Sequence, residues 1–201
     1  MKIVTTGDSH SKAGWEDIRM EGVEIVINYL GAPLMYSFGR DYPNIVSKCM
    51  PFDVVVFCTG EIDMRCHIYK HSTTSEGRDT IIDDMVMSYF KAIEMNVNGL
   101  KGVTTSVYNV VPPTRQATLL PEIRFYFPFV GSDEQRREAT LYINDKLRAG
   151  CAERGYVFFD IYDKCTDEDG LLSPEVTAVW DGVHVRKCSL FMDFIKNHFL
   201  K

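Results

Sequence analysis

The chain has 201 residues, enough to fill one well-buried core and short for two domains. At 45% hydrophobic, 25% charged and 12% aromatic, it has the composition of a folded globular protein, not a disordered one. A net charge of −6 without any run of Lys or Arg disfavours nonspecific binding to nucleic acid or to an anionic membrane.

The opening "MKIVTTGDSHSKAGW" reads as a strand over Lys2–Thr5 that breaks at Gly7-Asp8-Ser9-His10. Those four residues suit an ordinary turn. They equally suit a nucleophile held at the carboxyl end of a strand, where open α/β sheets place their chemistry. The start soon turns polar, and no later apolar run reaches about 18 residues. Neither a signal peptide nor a membrane span is therefore predicted, and the cytoplasm is the expected compartment.

A second strand is expected over Val23–Tyr29, followed by Gly31 and Gly39 in "NYLGAPLMYSFGRDYPNI". The third, Asp53–Cys58, is continuously apolar, as in parallel strands covered on both faces. Polar "GEIDMRCH" comes next. With Glu61, Asp63, Arg65 and His67, it suits either a solvated loop with an internal ion pair or part of a site. Asp79–Asn96 carries Ile82, Met85, Val86, Tyr89, Phe90 and Ile93 on one helical stripe. A fourth strand falls in Gly102–Val111.

Pro112–Gly131, at about 20 residues, exceeds the usual loop length and reads as a functional excursion. Its Phe125, Tyr126, Phe127 and Phe129 are suited to roof an apolar pocket. Ser132–Arg154 opens with a Ser-Asp-Glu cap signal and predicts a helix. Tyr156–Ile161 makes a fifth strand, and Lys187–Phe199 a last helix. This alternation predicts an α/β chain: a parallel sheet with helices on both faces and right-handed crossovers, in a single domain over 1–201. The six cysteines form no C-x-x-C pair. They are expected to be reduced, small core hydrophobes and not zinc ligands.

Near the carboxyl terminus, "WDGVHV" places Asp181 three residues before His184. On a tight loop, that spacing lets the carboxylate orient the imidazole and leaves Nε2 as a base. Ser9 follows the first strand and this motif the last, so a parallel sheet brings both to one edge. A serine hydroxyl needs such a base before it attacks.

In order and approximate spacing, "GDSH", "FCTGEID" and "DGVHV" resemble the blocks of the SGNH (GDSL-type) hydrolases, over nearly the whole chain. The resemblance implies a flavodoxin-like three-layer α/β/α sandwich with a five-stranded parallel sheet. It also implies ester hydrolysis or acyl transfer without metal or cofactor. Ser9 becomes the nucleophile, His184 the base and Asp181 its orienting acid. The family's oxyanion glycine maps to Gly31 or Gly39. Gly39 is preferred because "RDYPNIVSK" after it reads as a helix start, where free N–H groups face an anion.

The family's third block, G-x-N-D, stands here as Gly60-Glu61-Ile62-Asp63, with Ile62 at the position of a side-chain donor. Arg65 is the expected substitute in the oxyanion hole beside the Ser9 N–H, and Arg40 a second candidate. Asp8, His10, Arg40, Glu61 and Asp63 are expected to line the substrate site. The expected substrate is a small-molecule or glycan ester carrying a small acyl group, such as O-acetyl on carbohydrate. Two further readings stay open. One is a binding-only domain of this type that holds a glycan. The other is a metallophosphoesterase built on Asp8-x-His10, although its usual partner motifs are missing.

Overall fold

In a computed structural model, residues 1–41, 44–118, 128–178 and 182–200 are described. Five strands, β1 (Lys2–Gly7), β2 (Glu24–Tyr29), β3 (Val54–Cys58), β4 (Thr104–Tyr108) and β5 (Val157–Phe159), form one sheet. Every pairing is parallel, in the order β2-β1-β3-β4-β5. This is the flavodoxin-like order, whose switch point between β1 and β3 opens a crevice at the carboxyl ends of the strands.

Five α-helices are described: α1 (Phe38–Asp41), α2 (Ile68–His71), α3 (Ser75–Val97), α4 (Asp133–Arg154) and α5 (Cys188–His198). Side chains alternate across the pleat, so each strand feeds two cores. Val4, Val55, Phe57 and Val107 pack with α3 and α4 through Met85, Tyr89, Ile93, Ile143 and Leu147. Ile3, Val54, Val56 and Tyr108 face the other way, onto Trp15 and onto Phe191, Phe194 and Ile195 of α5. The three-layer α/β sandwich expected from the sequence is present. No described helix is long and apolar enough to cross a membrane.

Several boundaries differ from expectation. β4 and β5 stop early because asparagine side chains replace the ladder: Asn109 Oδ1 accepts the Ile161 N–H at 3.0 Å, and Asn144 Oδ1 accepts the Val110 N–H at 2.8 Å. Helix α3 starts four residues sooner than Asp79, where the Thr74 hydroxyl accepts the Gly77 N–H at 3.2 Å. Ser132 is the N-cap of α4, in a reciprocal capping box with Gln135. The helix expected to start after Gly39 is the short α1, already begun at Phe38; Tyr42 and Pro43 lie outside the described residues, and Ser47–Cys49 makes one 3-10 turn. "DMRCH", read as loop, is a π-helical turn over Asp63–His67 leading into α2.

Candidate active site

The turn after β1 is tightly built. Gly7 has φ +142°, and a Cβ there would fall 1.8 Å from the Cys58 carbonyl oxygen, so only glycine passes. The Asp8 N–H donates to that same carbonyl at 3.0 Å. Asp8 Oδ1 accepts the His10 N–H at 2.8 Å and caps a 3-10 turn over Ser9–Ser11. Ser11 Oγ donates to the Asp8 carbonyl at 2.7 Å, and Thr5 Oγ1 to the Ser11 carbonyl at 2.6 Å. Ser9 is thus held at the mouth of the β1/β3 crevice. Its N–H heads the turn, so no carbonyl within the turn takes it.

His184 arrives from the far end of the chain on an irregular loop seated by the buried Val183 and Val185. Arg186 N–H donates to the Val176 carbonyl at 2.7 Å, and the Arg186 guanidinium pairs with Glu16 at 2.9 Å. The buried Thr114 donates its hydroxyl to the Gly182 carbonyl at 2.6 Å, tying the start of the long excursion to this loop. His184 Nε2 lies 2.6 Å from Ser9 Oγ, across 175 residues of sequence. Asp181 lies outside the described residues, as do Phe125, Tyr126 and Phe127.

The residues expected around this pair take other places. Asp8 is a fully buried cap, and burial pushes its carboxyl well above the usual range. It therefore does not line a substrate pocket. Among the described residues, no group of three or more His, Cys, Asp or Glu side chains is placed to hold a metal ion around Asp8 and His10. Arg40 is 75% exposed at its side chain and pairs with Asp41 at 2.7 Å. Asp63 is also buried: Oδ2 accepts the Met35 N–H at 2.8 Å and Oδ1 the Tyr36 N–H at 3.4 Å. It staples the segment after β2 to the segment after β3. Burial outweighs those hydrogen bonds and raises its pKa to about 7.

Arg65 corrects the expectation most. Its Nε donates to Glu61 Oε1 at 2.6 Å and its Nη2 to Oε2 at 2.8 Å, so both pair with a buried carboxylate rather than an oxyanion. Phe129, expected over an acyl pocket, packs between the guanidiniums of Arg65 (5.4 Å) and Arg136 (4.5 Å). Glu61 also lies 3.8 Å from His10 Nε2, and the His10 ring stands 4.6 Å from that of His184. The sequence did not reveal this buried chain from Arg65 to the base. The one available signal was the i, i+4 spacing of Glu61 and Arg65 directly beyond a buried strand.

The two glycines expected as oxyanion candidates are placed differently. Gly39 sits in α1 against Ala92 of α3, its built Cβ 3.1 Å from that methyl. Gly31 follows β2 directly, and β2 neighbours β1, with the Leu30 N–H bonded to the Gly7 carbonyl at 2.9 Å. Space beside Gly31 is open. Ile62 stands opposite, after β3. It lines a cavity of about 280 Å³ with Ala32, Leu34, Cys66, His67, Lys70 and Pro128.

No protein-family model and no curated protein matches the chain in sequence. Solved structures match it in shape. The native aryl esterase of M. smegmatis aligns at a TM-score of 0.62 and 16% identity, over 98% of each chain. A GDSL-like lipase from Bacteroides thetaiotaomicron aligns at 0.56 and 15%, over 98% of this chain and 86% of that one. The fold is that of the GDSL-type esterases. A carbohydrate acetylesterase from Sinorhizobium meliloti shares it as well, at a TM-score of 0.59 and 16% identity, over 100% of this chain and 99% of that one. In this GDSL-type fold the Ser9–His184 pair stands at the carboxyl edge of the sheet, between the segments that follow β2 and β3.

Proposed function

We propose that this chain is a serine ester hydrolase acting on small acyl esters. The observation that carries the proposal is the 2.6 Å approach of His184 Nε2 to Ser9 Oγ. That is hydrogen-bond reach for a base and the hydroxyl it activates. Ser9 attacks the ester carbonyl as His184 takes its proton. His184 returns that proton to the departing alkoxide, and water then releases the acyl group by the same route. Asp181 is assigned the orienting carboxylate from the D-x-x-H spacing alone. The Ser9 and Gly31 N–H groups are assigned the oxyanion.

The cavity lined by Ala32, Leu34 and Ile62, residues that follow β2 and β3 on either side of β1, is assigned to the acyl group from that placement alone. An O-acetyl group on carbohydrate is one ester of the proposed class. The acetylesterase of the same fold supports it, although fold is a weak guide to substrate. The test is a serine-directed organophosphonate followed by intact-protein mass spectrometry, with p-nitrophenyl acetate turnover alongside. A single adduct on Ser9, and loss of both adduct and turnover in Ser9→Ala, is the expected result. Absence of labelling points to a binding-only domain.

A further inference from the structure

We propose that Glu61 and Arg65, acting through His10, are positioning residues that set the proton affinity of His184; this rests on the base role assigned above. The three side chains are buried, at 7%, 6% and 5% exposure. A buried ion pair is a poor device for stability, since well-packed apolar residues commonly serve as well or better. Its place suggests another use. Arg65 grips both oxygens of Glu61, His10 Nε2 approaches Oε2 at 3.8 Å, and the His10 ring stands 4.6 Å from the His184 ring at a 42° tilt.

The charges in this chain balance. Arg65 carries one positive charge and Glu61 one negative, so Glu61 offsets the Arg65 charge toward His184 while His10 is neutral. Burial and the neighbouring His184 both press the His10 pKa down, against the pull of Glu61. Burial also opposes the Glu61 charge, but Arg65 and His10 outweigh it and hold the carboxylate ionised far below its usual range. Other ionisable groups face the cluster: Asp8 from the same turn as His10, Asp63 from the segment after β3, and Arg136 from α4. Asp181 precedes His184 outside the described residues.

The neighbouring His184 thus disfavours a charge on His10 at this distance. When Ser9 gives its proton to His184 Nε2, the imidazolium forms against a neutral His10 ring whose Nε2 edge is turned toward Glu61. No proton passes to His10. Its part is to hold the base and to keep the Arg65 cation, cancelled by Glu61, from opposing the charge that forms.

The experiment measures kcat/KM against pH for wild type, Glu61→Gln and the double variant Glu61→Gln/Arg65→Met, with phosphonate labelling of Ser9 in each. Glu61→Gln leaves Arg65 without its counter-charge, and a nearby cation disfavours protonated His184. The acid limb is expected roughly half to one pH unit lower. We expect kcat down about tenfold and KM within about twofold, the signature of an interaction made in the transition state. The double variant buries neither charge, and its acid limb is expected back at the wild-type position.

An acid limb in Glu61→Gln that stays put or moves to higher pH overturns the inference. If Glu61→Gln does not fold, Arg65→Gln decides, since it leaves the Glu61 carboxylate uncancelled and a nearby anion favours protonated His184. An acid limb moved to higher pH supports the inference, and one that stays put or moves lower overturns it. Labelled wild type with an unmoved acid limb leaves the esterase assignment standing, whereas unlabelled wild type removes both.

Discussion

His184 is required by the proposed chemistry and not by the core, since it sits half-buried on an irregular loop. His184→Ala is expected to remove nearly all ester turnover while the circular dichroism spectrum stays that of wild type. Activity retained in that variant refutes the pairing with Ser9. Arg65 makes the opposite case. Truncating it to Met strands the Glu61 carboxylate in the interior, a loss of about 3–5 kcal/mol for breaking a buried pair. Urea denaturation is expected to show that loss directly. An oxyanion donor would instead lower kcat with stability intact, so the two measurements separate the roles. Ile62→Asn places an amide where the GDSL-type blocks that the sequence resembles carry a side-chain donor. On the proposed mechanism, a higher rate means that backbone donors alone leave the oxyanion under-served.

Among the elements, the most instructive is the staple between the segments after β2 and β3. Asp63 has a pKa raised to about 7 in the folded chain, against an ordinary value of 3.8. Between those values the native state binds more protons than the unfolded chain, so stability falls as pH rises through that window. Thermal unfolding should show this decline from about pH 4 to about pH 7. Asp63→Asn should flatten it. Glu61, whose carboxyl is held down, has the opposite sign. Its contribution is present above the usual carboxylate range and lost as the solution becomes more acid.

The strands were legible in sequence because a buried parallel strand is a plain apolar run. The π-helical turn and α2 were not. Asp63, Arg65 and His67 look solvated until one knows that Met35 N–H and Glu61 satisfy the first two inside the protein. The ends of β4 and β5 were set by Asn109 and Asn144 reaching across the fold, partners that no local pattern contains.

For the molecule as a whole, parallel topology made the meeting of Ser9 and His184 readable, because strand ends converge on one edge whatever lies between. Gly39 was preferred because a helix was expected after it, whereas it is Gly31 that comes just after β2, the neighbour of β1. Thr114 could not have been found, since its bond to the Gly182 carbonyl spans 68 residues. Thr114→Val keeps the shape and removes that bond. It is expected to lower kcat several-fold with little change in KM, as pre-steady-state acylation would report. An unchanged rate shows that the loop keeps its place without that bond.

The long separation of nucleophile and base also has a temporal side. Synthesis runs from Ser9 toward His184, so the hydroxyl is made early and its activator comes after every strand of the sheet. A ribosome-bound chain that has completed the sheet but not the loop around residue 184 holds a serine with no partner to take its proton. On the proposed roles, reactivity is thereby withheld from the nascent polypeptide and switched on by the docking of the final segment. A folding error that leaves the last layer undocked would then silence that chemistry even where the sheet is complete.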